Sequence, residues 1–180
     1  RPVTIRSIEL AIVEHAWRAG WVRPQRARRR LFRRVAIIGS GPAGLAASQQ
    51  LRRMGHQVTV YDVAGMLGGK ITRAIPQSRI PEEVITTEIQ RVKEVIPHEY
   101  FEQPLGRGDI ERLKSDFDFV VIATGAQKAR TLTVPGNERA LLALEFLTQA
   151  KAKKTKIGKR VVIIGAGNVG CDVAIEADRL

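Results

Sequence analysis

The sequence holds a single cysteine, Cys171, in 180 residues. That excludes an internal disulfide framework, a CxxC redox pair and a four-cysteine cluster site within the chain. Histidine is almost as scarce, and His15, His56 and His98 stand too far apart for metal-ligand spacing. No run approaches the roughly 18 apolar residues that a membrane span requires, so membrane insertion is not expected. Glu9 and Glu14 interrupt the only apolar region near the basic N-terminus, which argues against a secretory leader. These absences fit a cytoplasmic setting. What is present is 44% hydrophobic residues, enough for a core, in a length that predicts one domain and part of another.

The net charge of +12 is unevenly placed. Residues 1–34 hold ten Arg against two Glu, residues 35–150 are balanced at thirteen of each sign, and residues 151–180 hold seven basic against three acidic residues. The excess therefore sits in an arm and a linker. Nucleic-acid binding needs cations on a stable face that follows phosphates, and RPQRARRRLFRR at Arg23–Arg34 has no interleaved recognition motif. A solvated linker is the preferred reading, with docking on an acidic partner protein left open.

Apolar periodicity predicts a helix over Thr4–Gly20, packed on the main body through Ile5, Ile8, Ile12 and Ala16. A buried strand is expected at Val35–Ile38, a helix at Pro42–Met54 and a second strand at Val58–Tyr61. Pro81–Ile96 places Ile85, Ile89, Val92 and Ile96 on one helical stripe, with Arg91 on the exposed face. Phe117–Ala123 reads as a buried strand and Leu141–Ala152 as a helix. After KAKKTKIGK come a strand at Arg160–Ile164 and a helix from about Asn168, which turns Cys171 inward. Alternating strands and helices argue for an α/β fold with a parallel sheet and right-handed crossovers.

Gly39-Ser40-Gly41-Pro42-Ala43-Gly44 lies between a predicted strand and a predicted helix. Gly39 allows a tight turn, Gly41 lets a pyrophosphate approach the backbone, and Gly44 lets helix press on strand. The pyrophosphate would meet free N–H groups at the positive end of the helix dipole. The second strand ends at Asp62, at the distance expected for a carboxylate that binds ribose hydroxyls. Together these predict a Rossmann-like nucleotide-binding unit. Three features favour FAD: the Gly-Pro-Ala-Gly helix opening, Gly65-Met66-Leu67-Gly68-Gly69 just past Asp62, and a strand ending in Ala123-Thr124-Gly125.

At these residues the chain resembles the FAD- and NAD(P)H-binding subunits related to the glutamate synthase small subunit and the flavin region of dihydropyrimidine dehydrogenase. The resemblance spans nearly the whole chain: PVTIRSIELAIVEHA…GW at Pro2–Trp21, Ile75-Pro76 with Arg79-Ile80-Pro81, Ala123–Lys128 and Val134-Pro135-Gly136. It implies that Gly39, Gly41, Pro42, Ala43 and Gly44 touch the FAD pyrophosphate and that Asp62 holds the ribose. Gly68 and Gly69 would lie near the flavin side, and Ala123, Thr124 and Gly125 over the cofactor. Arg79 would lie near the cofactor by the resemblance, while a lone Arg beside prolines is more often a surface ion-pair partner. The family commonly shows Arg, Tyr and Gly near positions 72–74, where Thr72, Arg73 and Ala74 stand here.

The second fingerprint, Gly165-Ala166-Gly167-Asn168-Val169-Gly170, sits where the resemblance implies the start of an inserted NAD(P)H domain. The expected organisation is an arm and basic linker (1–34), the N-terminal part of an FAD-binding domain (35–150), and a linker with the truncated start of an NAD(P)-binding domain (151–180). Gly165, Gly167, Asn168, Val169 and Gly170 would hold NAD(P)H; NAD against NADP stays open. On this reading the chain is a fragment. It is expected to have little turnover alone and to carry the FAD step of an NAD(P)H-dependent oxidoreductase. Electrons would pass to an iron–sulfur cluster or catalytic partner subunit outside the chain, and no side chain acts as acid, base or nucleophile. The alternative reading is a non-catalytic nucleotide-binding or assembly fragment that docks on an acidic partner.

Overall fold

In the computed structural model, residues 3–25, 27–96, 98–100 (backbone), 102 and 104–180 are described. Pro2 of the arm, Arg26 of the basic run and the His98 side chain lie outside the described residues. Four strands, β1 (Arg34–Ile38), β2 (Gln57–Tyr61), β3 (His98–Tyr100) and β4 (Phe119–Ile122), form one sheet in the order β3-β2-β1-β4. All three pairings are parallel, with Ile37 opposite Val60 on one side and Val121 on the other. Parallel neighbours need crossovers, and the helices α2 (Pro42–Arg53), α4 (Glu82–Lys93) and α5 (Arg107–Asp116) supply them.

Side chains alternate between the two faces of a strand, so each face has its own core. Val35, Ile37, Val58 and Val60 point to the face covered by α2 and α4, where Leu67, Val92, Val95 and Ile96 complete a buried cluster. Ala36 and Ile38 point to the other face, against Leu113 of α5 and the half-buried Ile110 and Phe117. The predicted stripe of α4 is this packing face, though Arg91 is half-buried and pairs with Glu88 rather than standing free in solvent. The α4 ends also suit its dipole, with Glu82 and Glu83 in the first turn and Arg91 and Lys93 in the last.

Helix α5 is not among the elements expected from the sequence. Only Ile110 and Leu113 carry its apolar face, and its start is held by the Asp109 carboxylate accepting from the Gly106 N–H at 2.9 Å. The last part of the chain adds α6 (Ala143–Lys151) and α7 (Asn168–Asp178). Phe146 and Leu147 of α6 pack with Ala74, and with Val173 and Ala177 of α7.

Four expectations change. The N-terminal helix α1 (Ile5–Arg18) forms but buries no residue, and Ile5, Ile8 and Ile12 are exposed. Its contact with the body is at its end, where the Arg91 guanidinium lies 6.0 Å from the Trp17 ring. Strand β4 is not buried: it is the edge beside β1, so Phe119 and Ile122 stay 60% and 66% exposed. Residues 160–164 form no strand, because no neighbour among the described residues pairs with them. Cys171 faces outward.

Candidate functional site

Parallel sheets place ligands at the carboxyl ends of their strands, where a change of strand direction opens a crevice. Here β1 lies between β2 and β4, and a cleft of about 600 Å³ opens past their C-terminal ends. Ile38, Gly39, Gly41, Pro42 and Ala43 at the end of β1 and the start of α2 line it, together with Ala123, Thr124 and Gly125 past the end of β4.

The fingerprint loop is held in shape by contacts that only glycine permits. Gly39 has φ 105°, and a Cβ there would lie 2.4 Å from the Ala123 carbonyl oxygen at the end of β4. A Cβ on Gly44 would lie 1.9 Å from the Gly39 carbonyl oxygen and 3.4 Å from Ile37, so helix and strand touch without a side chain between them. Gly41 is different. It caps α2 at φ −69°, and a Cβ there would meet nothing within 4 Å. Space is therefore left in front of the free N–H groups of the first helical turn, with Pro42 at a position that needs no N–H.

The glycine pair past β2 closes this loop from the side. The Gly68 N–H donates to the Ser40 carbonyl at 2.9 Å, and the Cβ position of Gly69 lies 2.9 Å from the Gly41 Cα. A short helical turn, α3 (Lys70–Arg73), follows immediately and brings Lys70 and Arg73 to the cleft. Lys70 Nζ donates to the Ala126 carbonyl, and Arg73 Nε to the Gly69 carbonyl at 3.4 Å. Neither is among the expected site residues, Arg73 standing there only as a departure from a family pattern; two cations directly after paired glycines are the sequence signal that points to them.

Asp62 is buried, and its carboxylate holds the loop. Oδ2 accepts from the Ser40 N–H at 2.6 Å and the Ser40 hydroxyl at 2.5 Å, and Oδ1 accepts from the Ala64 N–H at 2.8 Å. Burial pushes this carboxyl up, but the Ser40 hydroxyl, the two N–H donors and the nearby Arg73 charge together hold it below its ordinary value. Asp62 thus lines the cleft and at the same time holds the first glycine loop through Ser40.

Arg79 does not line the cleft. Its Nε donates to Asp172 Oδ1 on α7 at 2.5 Å. The second fingerprint is also separate from the cleft, yet its loop repeats the first. Gly165 has φ 113°, Gly167 caps α7 at φ −77°, and a Cβ on Gly170 would lie 2.0 Å from the Gly165 carbonyl oxygen. Asn168 and Val169 open the helix, with Val169 exposed.

The donor set fits a dinucleotide diphosphate: an open approach at Gly41, a helix N-terminus, two cations and a ribose-side carboxylate. It does not fit an iron–sulfur cluster, since one cysteine cannot supply its thiolates and no group of three His, Cys, Asp or Glu among the described residues could hold a metal.

A family model described as pyridine nucleotide-disulphide oxidoreductase matches residues 33–180. The glutamate synthase [NADPH] small chain of Mycobacterium tuberculosis is 38% identical over 95% of this chain and 38% of its own length. The glutamate synthase [NADH] of Schizosaccharomyces pombe is 37% identical over 95% of this chain and 9% of its own. Among solved structures, Mycobacterium tuberculosis FprA in complex with NADPH superposes with a TM-score of 0.66 at 23% identity, over 79% of this chain and 36% of that one, which supports the fold. The chain thus spans well under half the length of these relatives.

Proposed function

This chain belongs to the pyridine nucleotide-disulphide oxidoreductase family, and we propose that it is the FAD-binding part of an NAD(P)H-dependent oxidoreductase of the glutamate synthase small-subunit type. The observation that carries the reading is the gap at Gly41, open in front of the α2 N-terminus and flanked by Lys70 and Arg73.

Each residue has a defined task. The N–H groups of Ala43 and Gly44 and the α2 dipole receive the FAD diphosphate, while Lys70 and Arg73 neutralise it. Asp62 accepts from the adenosine ribose and keeps the loop closed through Ser40. Gly68 and Gly69 let the dinucleotide pass close to the backbone, and Ala123–Gly125 exclude water from its other side. The second loop, Gly165–Gly170, receives the NAD(P)H diphosphate in the same manner. FAD, when bound, supplies hydride acceptance from NAD(P)H and onward electron transfer. The lone exposed Cys171 cannot serve as a redox dithiol, so the electrons go to an iron–sulfur cluster or a catalytic partner subunit rather than to a disulfide in this chain. The setting is cytoplasmic; among the described residues no helix is long and apolar enough to cross a membrane.

The test is an absorption spectrum of the folded chain after incubation with FAD and desalting. A retained flavin band that ADP competes away is expected. A folded chain that retains no flavin and binds no ADP would overturn the reading.

A further inference from the structure

The segment from Gly69 to Glu82 joins the two glycine loops. It begins in the cleft with Gly69, Lys70 and Arg73, and it ends against α7, where Arg79 Nε meets Asp172 Oδ1 at 2.5 Å and Ser78 Oγ meets Glu176 Oε1 at 3.4 Å. Between these ends, Lys151 of α6 donates to the Ile71 and Ile75 carbonyls at 3.1 and 3.0 Å and lies 3.4 Å from Glu82.

Among the described residues, the second loop is otherwise held by the Ser78–Glu176 hydrogen bond and by apolar packing of α7. Helix α7 has no fully buried residue, and the extended stretch before it, residues 160–164, has no strand partner among the described residues. The apolar contact from Ala74 and α6 to Val173 and Ala177 is non-directional and allows α7 to slide or turn. The ion pair is directional, because a guanidinium–carboxylate bond constrains angle as well as distance. The Asp172 side chain is only 14% exposed, so solvent weakens the pair less than it would an open surface pair. Asp172 lies two residues after Gly170, close enough in the helix for its position to fix that of the loop.

We infer that Arg79 is a positioning residue: its ion pair with Asp172 sets where the second phosphate-binding loop stands relative to the first cleft. The importance of that setting rests on the functional reading above, since transfer between two bound nucleotides requires their reacting ends to be brought together. The pair itself is testable without any nucleotide.

Cys171, the only cysteine and exposed, is a ready-made reporter beside Asp172. A nitroxide attached there is expected to show an immobilised line shape in the parent chain. Arg79→Gln and Asp172→Asn, each expected to melt with the parent's cooperativity, should lose the immobilised component. The exchanged pair, Arg79→Asp with Asp172→Arg, should regain it, and Arg79→Lys should regain part. Flavin retention is measured on the same variants and should match the parent, since Arg79 is not in the cleft. An unchanged line shape in Arg79→Gln overturns the inference. So does a well-folded exchanged pair that stays mobile, because a residue needed only for local folding is not rescued by swapping charges. Absence of flavin from the parent counts against the functional reading alone and leaves the line-shape result to decide the ion pair.

Discussion

The carbonyl oxygen of Gly39 occupies the place a Gly44 side chain would need, 1.9 Å from its Cβ position. Gly44→Ala therefore has to move either the loop or α2, and it should destabilise the chain by about 3 kcal/mol, as overpacking at a backbone contact does. Gly41→Ala faces open space at an allowed φ and should cost under about 1 kcal/mol, the price of an alanine helix cap. Its methyl group enters the diphosphate approach, so FAD affinity should fall by about tenfold or more, equivalent to ~1.4 kcal/mol. Denaturant melts and flavin titrations on both variants separate the two roles.

Asp62 gives the fold a pH dependence of known sign. Its folded pKa is held below the ordinary 3.8, so the unfolded chain binds its proton first as the solution is acidified. The contribution is complete above the ordinary value and is lost as pH falls through the lower, folded one. Asp62→Asn should lose about 1–3 kcal/mol near neutrality, because an amide N–H₂ confronts donors of Ser40 or Ala64. The difference in melting temperature between parent and variant should shrink in acid. Asp118, also held low by the Arg34 N–H and by Arg33, keeps its own acid slope in both proteins.

Lys70 and Arg73 should matter to charge rather than to folding. Alanine at either position is expected to weaken FAD or ADP binding by about tenfold at low ionic strength, and by less in high salt, where phosphate–cation attraction is screened. Flavin fluorescence titrations at two salt concentrations check this. Equal losses at both concentrations would assign these side chains a packing role instead.

Strand β4 should make the chain self-associate. Phe119 and Ile122 stand on a parallel edge with no further strand among the described residues, which is a template for one. Phe119→Lys should shift the protein toward monomer in size-exclusion chromatography at matched concentration. It should leave the melting temperature nearly unchanged, because the side chain it replaces is already in solvent.

The strands β1 and β2, the helices α2 and α4, and the first fingerprint were legible because each is specified locally: an apolar run, a glycine spacing or a 3.6-residue stripe. What was missed depends on neighbours distant in sequence. Phe119 and Val162 are as apolar as Ile37, but only Ile37 has a strand on both sides, and a chain pattern does not reveal how many partners it will find. Lys70 and Arg73 reach the cleft through the path of the chain after Gly69. An ion pair was already the commoner expectation for Arg79, but its partner, Asp172, stands 93 positions away and could not be named from the sequence. The exposed stripe of α1 makes the same point: amphipathic spacing predicts the helix but not its cover.

The second glycine loop reaches its full shape beside a stretch that pairs with no strand among the described residues. Its closing contact, Gly170 against the Gly165 carbonyl, spans five positions, as Gly44 against Gly39 does. Contacts so close in sequence cost little chain entropy to form, so they can be made early, before slow pairing between distant strands. A growing polypeptide can hold this glycine turn, its spacing already satisfied, while the rest of its surroundings are still being assembled.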